Sequence, residues 1–152
     1  MLKINRKEIR RLWDPVILST VPHIASIYFV TGCSSPDYLG LYVGYCIVIG
    51  GSSLLSFIWH TYREPKNIWF CLDYAFAFIW TGYDIVISSI VASNSIVVIV
   101  ILLNGVCIIT NHLTDCIAKR GICSYEVSHS LWHIINVIKS IIVAYLISCH
   151  FQ

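Results

Sequence analysis

The run SIVVIVILLNGVCIITNHL, residues 95–113, contains no Asp, Glu, Lys or Arg. An apolar run of about 20 residues, wound as an α-helix, crosses the roughly 30 Å of hydrocarbon in a bilayer. The composition of the whole chain agrees, because 57% of its 152 residues are hydrophobic and 12% are charged. A soluble domain carries about 25% charged residues. The sequence therefore predicts an integral, multi-pass membrane protein.

Apolar runs on both sides of this segment extend the pattern to about five predicted membrane spans. We place them at residues 15–32, 39–60, 68–91, 95–113 and 126–148. The connections are too short to hold a second domain, so we predict an all-α, polytopic transmembrane helical bundle that forms a single domain over residues 1–152. Pro22 lies inside the first span, where its missing N–H favours a kink.

The basic residues alternate between connections and so predict an orientation. They occur at the amino terminus and in the second and fourth connections, and are Lys3, Arg6, Lys7, Arg10, Arg11, Arg63, Lys66, Lys119 and Arg120. The first and third connections have no Lys or Arg. Under the positive-inside rule the amino terminus is cytoplasmic and the carboxyl terminus lies on the far side. The net charge of +2 thus reflects topology, and we expect no nucleic-acid partner.

Five polar residues lie at the same end of the predicted bundle. His60 ends the second span, Asp73 begins the third, and His129 and His133 begin the fifth, so helix direction places all of them at the cytoplasmic side. Ser56 and His60 are four residues apart, as are His129 and His133, so each pair shares a helix face. Neutral imidazoles with a water in the fourth position are typical of catalytic zinc, and a neighbouring carboxylate can orient that water. Polar groups at membrane depth are usually functional, so the pattern predicts a metal site.

The local sequence around these residues resembles a known family. The three blocks are LLSFIWHTY at 54–62, LDY at 72–74 and SHSLWHIINV at 128–137. In order and residue type they are similar to the CREST superfamily of intramembrane hydrolases and receptors. That superfamily includes alkaline ceramidases, progestin and adipoQ receptors with the haemolysin III proteins, and GPI-processing and myomaker-like proteins. HSLWHI is most similar to the ceramidase and GPI-processing branches and LDY to the adipoQ-receptor branch, so the branch stays open.

The resemblance implies a role for each of the five residues. His60, His129 and His133 would bind Zn²⁺, Asp73 would hold and help activate a zinc-bound water, and Ser56 would hydrogen-bond near the metal or the developing oxyanion. Zinc lowers the pKa of its water to about 7 and polarises a carbonyl. The implied activity is hydrolysis of a lipid amide or ester, by attack of that water on an acyl group that reaches the site from the bilayer.

The chain departs from the family in its number of helices. CREST proteins usually have seven helices, with the histidine pair on the last, whereas this sequence has about five spans with the pair on the fifth. Loss of two helices preserves the direction of the last one, so the site geometry is compatible with a shortened form. Fewer helices remain to line a substrate pocket.

Other polar and aromatic residues have structural interpretations. Asp84 and Lys139 fall at similar depths in the third and fifth spans, so we predict that they pair, because an unpaired charge there is expensive. His23, next to Pro22, is interpreted as a packing or hydrogen-bonding group and not as a fourth ligand. Three tryptophans near helix ends are typical of an interfacial aromatic belt, namely Trp59, Trp69 and Trp132.

Three alternatives to a hydrolase stay open at this point. The first is a non-catalytic receptor or structural protein that uses zinc as a clasp, in which Asp73 would be dispensable. The second is a haem protein with His60 and either His129 or His133 as axial ligands. The third is a channel lined by Asp84 and Asn104.

Overall fold

The computed structural model describes residues 9–30, 36–62 and 68–149, and all regular secondary structure in these ranges is helical. Two short helices, α1 and α2, precede four long ones, α3 to α6. The bounds are α1 Pro15–Thr20, α2 Ala25–Val30, α3 Leu39–Thr61, α4 Ile68–Val91, α5 Asn94–Lys119 and α6 Tyr125–Ser148, with 3-10 turns at Val21–Ile24 and Pro36–Tyr38. The prediction of an all-helical bundle is confirmed.

The four long helices match the last four predicted spans and can cross a membrane by length and composition. Much of their apolar surface faces outward, since only 17% of the most apolar window of α5 is buried. Leu102, Ile108 and Ile109 are exposed on this helix. Such a surface is unfavourable in water but not against lipid tails, which supports a multi-pass membrane protein.

The first predicted span differs from the expected single helix over residues 15–32. The chain instead forms α1 and α2, separated by the 3-10 turn Val21–Ile24. Pro22 explains the break, because it has no N–H to donate and its ring clashes with the preceding turn of an α-helix. The apolar segment Pro15–Phe29 is shorter than the helices that qualify as spans. Within the described residues there are thus four candidate spans and one shorter apolar segment, in place of five spans.

Neighbouring long helices pack against one another in sequence order, and α1 and α2 pack against α6 and α3. Glycine allows the close approach of α3 and α4, because a Cβ at Gly51 would stand 2.5 Å from Cε1 of Phe76. The apolar core lies between α3, α4 and α6 and includes Ile49, Ile87 and Val143. α6 therefore lies at the centre of the bundle.

The connection from α5 to α6 fixes where the histidine pair begins. Gly121 has φ +68°, and the N–H groups of Gly121 and Ile122 donate to the carbonyls of Ala118 and Ile117. This is the Schellman pattern that ends a helix with glycine in the left-handed region. Ser124 then caps α6 by accepting a hydrogen bond from Val127 N. The tight reversal places the first turns of α6 beside the last turns of α5.

Candidate metal centre

Three histidines from two helices meet at one end of the bundle. His60 lies in the last turn of α3, and His129 and His133 lie in the first turns of α6. All are buried, with 0%, 5% and 1% of their surface exposed. Each offers a ring nitrogen, and the three nitrogens lie within 4.8 Å of one another. The convergence predicted from helix direction and from the four-residue spacing is confirmed.

The geometry of this His60–His129–His133 cluster, the histidine cluster below, fits a metal ion. The Nε2 atoms of His60 and His133 are 3.0 Å apart, and the three ring centroids are 4.9 to 5.0 Å apart. Ligand nitrogens around a tetrahedral zinc at about 2.0–2.1 Å are separated by about 3.4 Å. The separations in the cluster, from 3.0 Å for one pair to at most 4.8 Å, lie on both sides of that value. Imidazole suits zinc but also copper, iron and nickel, so the donor set alone leaves the metal open.

The same geometry does not fit a haem between His60 and His133. Axial ligands lie on opposite faces of the porphyrin, which must pass between them. The two rings are in direct contact through nitrogens 3.0 Å apart, and this leaves no space for a macrocycle. A haem would require α3 and α6 to separate.

Aromatic side chains enclose the histidine cluster. Trp59 packs against His60 at 4.8 Å between ring centroids, and Tyr125 stacks on His129 at 4.9 Å. Trp132 contacts both His129 and His133 and donates a hydrogen bond from Nε1 to the Cys107 carbonyl of α5. The interpretation of Trp59 and Trp132 as an interfacial belt therefore missed their contacts with the site. The pairing of each tryptophan with the histidine that follows it was the available sequence signal.

Arg10 ties the segment before α1 to this end of the bundle. Its backbone N–H donates to the Thr61 carbonyl at 2.9 Å, and its guanidinium pairs with Asp14 at 3.1 Å and Glu126 at 3.5 Å. The guanidinium also lies 6.0 Å from the ring centroid of Tyr125. In the sequence Arg10 indicated only the orientation of the bundle, whereas the structure places it beside the first turn of α6.

Asp73 and Ser56 lie together at the edge of the histidine cluster. The Ser56 side chain is hydrogen-bonded to the Asp73 carboxylate, across the contact between α3 and α4. Ser56 is buried and Asp73 is half-buried. Among the described residues Asp73 is not one of the clustered ligands. It lines one cavity together with His129 and a second cavity together with His133. The structure thus brings the five predicted residues together, with the carboxylate beside the nitrogen donors.

A cavity of about 140 Å³ leads away from the site between α4, α5 and α6. Asp73 and His129 lie on its wall, as do Asn104 and Lys139, which are deeper in the bundle. Phe78 and Ile108 also line it, and these side chains are 68% and 59% exposed. The cavity therefore reaches the outer apolar surface between α4 and α5.

Lys139, on the deep wall of this cavity, forms the predicted ion pair. Lys139 Nζ lies 2.9 Å from Asp84 Oδ2 and donates to Asn104 Oδ1 at 3.1 Å. The Tyr45 hydroxyl donates to the other Asp84 oxygen, and the ammonium lies 4.9 Å from the Trp80 ring centroid. The predicted pairing of Asp84 with Lys139 is confirmed. Asp84 and Asn104, the two residues considered for a pore, are thus both hydrogen-bonded to Lys139.

His23 lies against the histidine cluster without joining it. Its ring is 5.8 Å from that of His133 and 5.5 Å from that of Trp80, edge-on to both. His23 is 3% exposed, and it is not among the clustered ligands of the described residues. This placement agrees with its interpretation as a packing or hydrogen-bonding residue.

The chain was compared with family models, curated proteins and solved structures. No family model, no curated protein and no solved structure matches it.

Proposed function

We propose that the protein is an intramembrane, zinc-dependent hydrolase of a lipid amide or ester. The observation that carries the proposal is the buried histidine cluster, whose three nitrogens lie within 4.8 Å of one another. Three protein ligands that leave a coordination position for water or substrate are the usual set in catalytic zinc sites. The resemblance of the three sequence blocks to the CREST superfamily supports the same activity.

Each residue of the site has a proposed part in the reaction. His60, His129 and His133 would hold the metal, which when bound supplies a Lewis acid for the acyl carbonyl and for water. Asp73 accepts a proton from the attacking water and returns it to the leaving amine or alkoxide as the acyl C–N or C–O bond breaks. The hydrogen bond from Ser56 holds the Asp73 carboxylate in position for this transfer.

The cavity favours a lipid as the substrate. It runs from Asp73 and His129 to the outer surface beside Phe78 and Ile108, so an acyl chain in the bilayer can enter between α4 and α5 with its carbonyl near the site. The basic residues of the connections support a cytoplasmic amino terminus. In that orientation the histidine cluster lies at the cytoplasmic end of the bundle.

The test is lipid hydrolysis by zinc-loaded protein in detergent, with Asp73→Asn as the matched variant. Asparagine keeps the size and the hydrogen bond from Ser56 but cannot accept a proton. We expect wild type to release fatty acid from a ceramide or a glycerolipid, and Asp73→Asn to lose about 100-fold or more in rate, as for removal of a general base, with its zinc content unchanged. Equal rates for the two proteins, or no release from any acyl lipid by the zinc-loaded wild type, would contradict the proposal.

A zinc clasp without catalysis is the second candidate. The observation in its favour is that His60 of α3 and His133 of α6 meet at 3.0 Å, so one ion would join two helices that are distant in the sequence. Asp73→Asn distinguishes the two candidates, because a clasp needs the ligands but not the carboxylate.

A further inference from the structure

A second, smaller cavity lies behind the histidine cluster, next to the 3-10 turn that interrupts the first apolar segment. Its volume is about 20 Å³, and a buried water molecule needs about 10–15 Å³ on this measure, with two to four polar partners. His23 and His133 line it, together with Ser56, Asp73 and Asn136. In size and polarity the cavity suits a single water molecule.

Two buried ring nitrogens in this region have no hydrogen-bond partner within the described part of the chain. They are Nδ1 of His23 and Nδ1 of His133. Nε2 of His133 faces Nε2 of His60 at 3.0 Å, so it is the nitrogen aimed at the metal position and Nδ1 is the second nitrogen of that ring. A histidine that binds a metal nearly always donates its second N–H to a carboxylate, a carbonyl or a water. A buried donor left without a partner is destabilising.

We propose that His23 is a positioning residue that acts on His133 through one bridging water in this cavity. The rings of His23 and His133 meet edge-on with their centroids 5.8 Å apart, and both rings line the cavity, so a water in it can lie within hydrogen-bond distance, about 2.9 Å, of a nitrogen of each ring. Nδ1–H of His133 donates to the water, and the water donates to Nδ1 of His23. This inference rests on the metal centre of the proposed function.

The local fold holds His23 in the required place. Pro22 interrupts the helix and puts His23 in a 3-10 turn, and the Ser26 hydroxyl donates to the His23 carbonyl. The edge-on contact with Trp80 fixes the orientation of the ring. The break in the first apolar segment thus places the His23 side chain beside the ring of His133.

The bridge has a defined effect on the metal centre. It keeps the proton of His133 on Nδ1, which leaves Nε2 free to bind the metal, and it fixes the rotation of the ring. Loss of such an outer partner typically weakens metal binding by about 10- to 100-fold. Removal of a ligand itself abolishes binding, so the two roles give different results.

The experiment measures zinc affinity of the full chain in detergent by competition with a chelator. His23→Asn keeps a polar atom near the position of Nδ1, whereas His23→Gln places its amide near the position of Nε2 and His23→Phe keeps only the ring. We expect His23→Asn to stay within about 3-fold of wild type, and His23→Gln and His23→Phe to bind zinc about 10- to 100-fold more weakly. The thermal stability of each variant without metal reports whether it is folded.

The results separate this inference from the metal centre on which it rests. If wild type binds zinc but folded His23→Phe or His23→Gln binds it equally well, the bridge is refuted and the metal centre stands. The bridge is also refuted if folded His23→Asn binds as weakly as His23→Gln. If wild type binds no zinc, both proposals fail. Should His23→Phe not fold, the Asn and Gln pair still decides, because the two amides differ in reach and not in polarity.

Discussion

The buried pair of Asp84 and Lys139 allows a quantitative test of the bundle. Their side chains are 0% and 5% exposed, and Lys139 Nζ lies 2.9 Å from Asp84 Oδ2. Lys139→Met keeps most of the side-chain length but removes the ammonium, so that within the described ranges the Tyr45 hydroxyl is the partner that the carboxylate keeps. Removing one member of a buried ion pair is destabilising by about 3–5 kcal/mol. We therefore expect Lys139→Met to lower the free energy of unfolding by about 4 kcal/mol.

The double variant Asp84→Asn/Lys139→Met should recover most of this loss. Asparagine still accepts a hydrogen bond from Tyr45, and no charge remains in the core. Replacing both members of a buried pair by uncharged groups is often close to neutral. We expect the double variant to lie within about 2 kcal/mol of wild type, so that the effects of the two single variants are strongly non-additive.

The assay is reversible unfolding in mixed detergent micelles, followed by circular dichroism, for wild type, both single variants and the double variant. A coupling energy of about 3 kcal/mol is expected, at the upper end of the range for residues in contact. The ion pair is refuted if Lys139→Met lowers the free energy of unfolding by less than about 1 kcal/mol, or if the effects of the two single variants add to within about 0.5 kcal/mol.

Three further predictions concern the helix contacts and the metal. Gly51→Ala should be destabilising by about 1–3 kcal/mol, because the new Cβ would overlap Phe76. Gly50→Ala should be neutral or stabilising, because a Cβ there has nothing within 4 Å. Equal shifts of the thermal unfolding midpoint in the two variants would contradict this prediction. Gly121→Ala should lower the free energy of unfolding by about 1 kcal/mol, because φ is +68° at this residue and alanine is strained in that region. An unchanged thermal unfolding midpoint would contradict the glycine-terminated end of α5. Free zinc at 100 times its Kd should stabilise wild type by about 2.7 kcal/mol, and a chelator should reverse the effect; a chelator effect of the same size in His133→Ala would show that the stabilisation arises elsewhere.

Much of the fold and the site could be predicted from the sequence, because a membrane permits few solutions. Apolar runs bounded by turns set the four long helices, and alternating helix direction brought His60 and His133 to one end. Four-residue spacing gave each polar pair a common face. Asp84 and Lys139 lie at similar depths in α4 and α6, and this predicted that they pair. These inferences need only the helix rise per residue and the unfavourable free energy of polar groups in lipid.

The remaining features depend on packing that periodicity does not encode. Pro22 predicts a break in the helix. It does not predict that the resulting turn places His23 against the histidine cluster. The contact of Ser56 with Asp73 depends on how α3 rotates against α4, which is set partly by the close approach at Gly51. Trp132 was assigned to the lipid interface by its position near a helix end, but its N–H reaches a carbonyl on α5. Such contacts follow from side-chain fit across helices that are distant in the sequence.

The metal content of the detergent-purified protein decides whether the histidine cluster binds an ion. Wild type should hold one zinc per chain by elemental analysis, with no Soret band in its absorption spectrum. His129→Ala and His133→Ala should lose the metal while their circular dichroism stays helical. Wild type without stoichiometric metal after exposure to zinc, or histidine variants that keep it, would contradict the assignment of the histidine cluster as a metal centre.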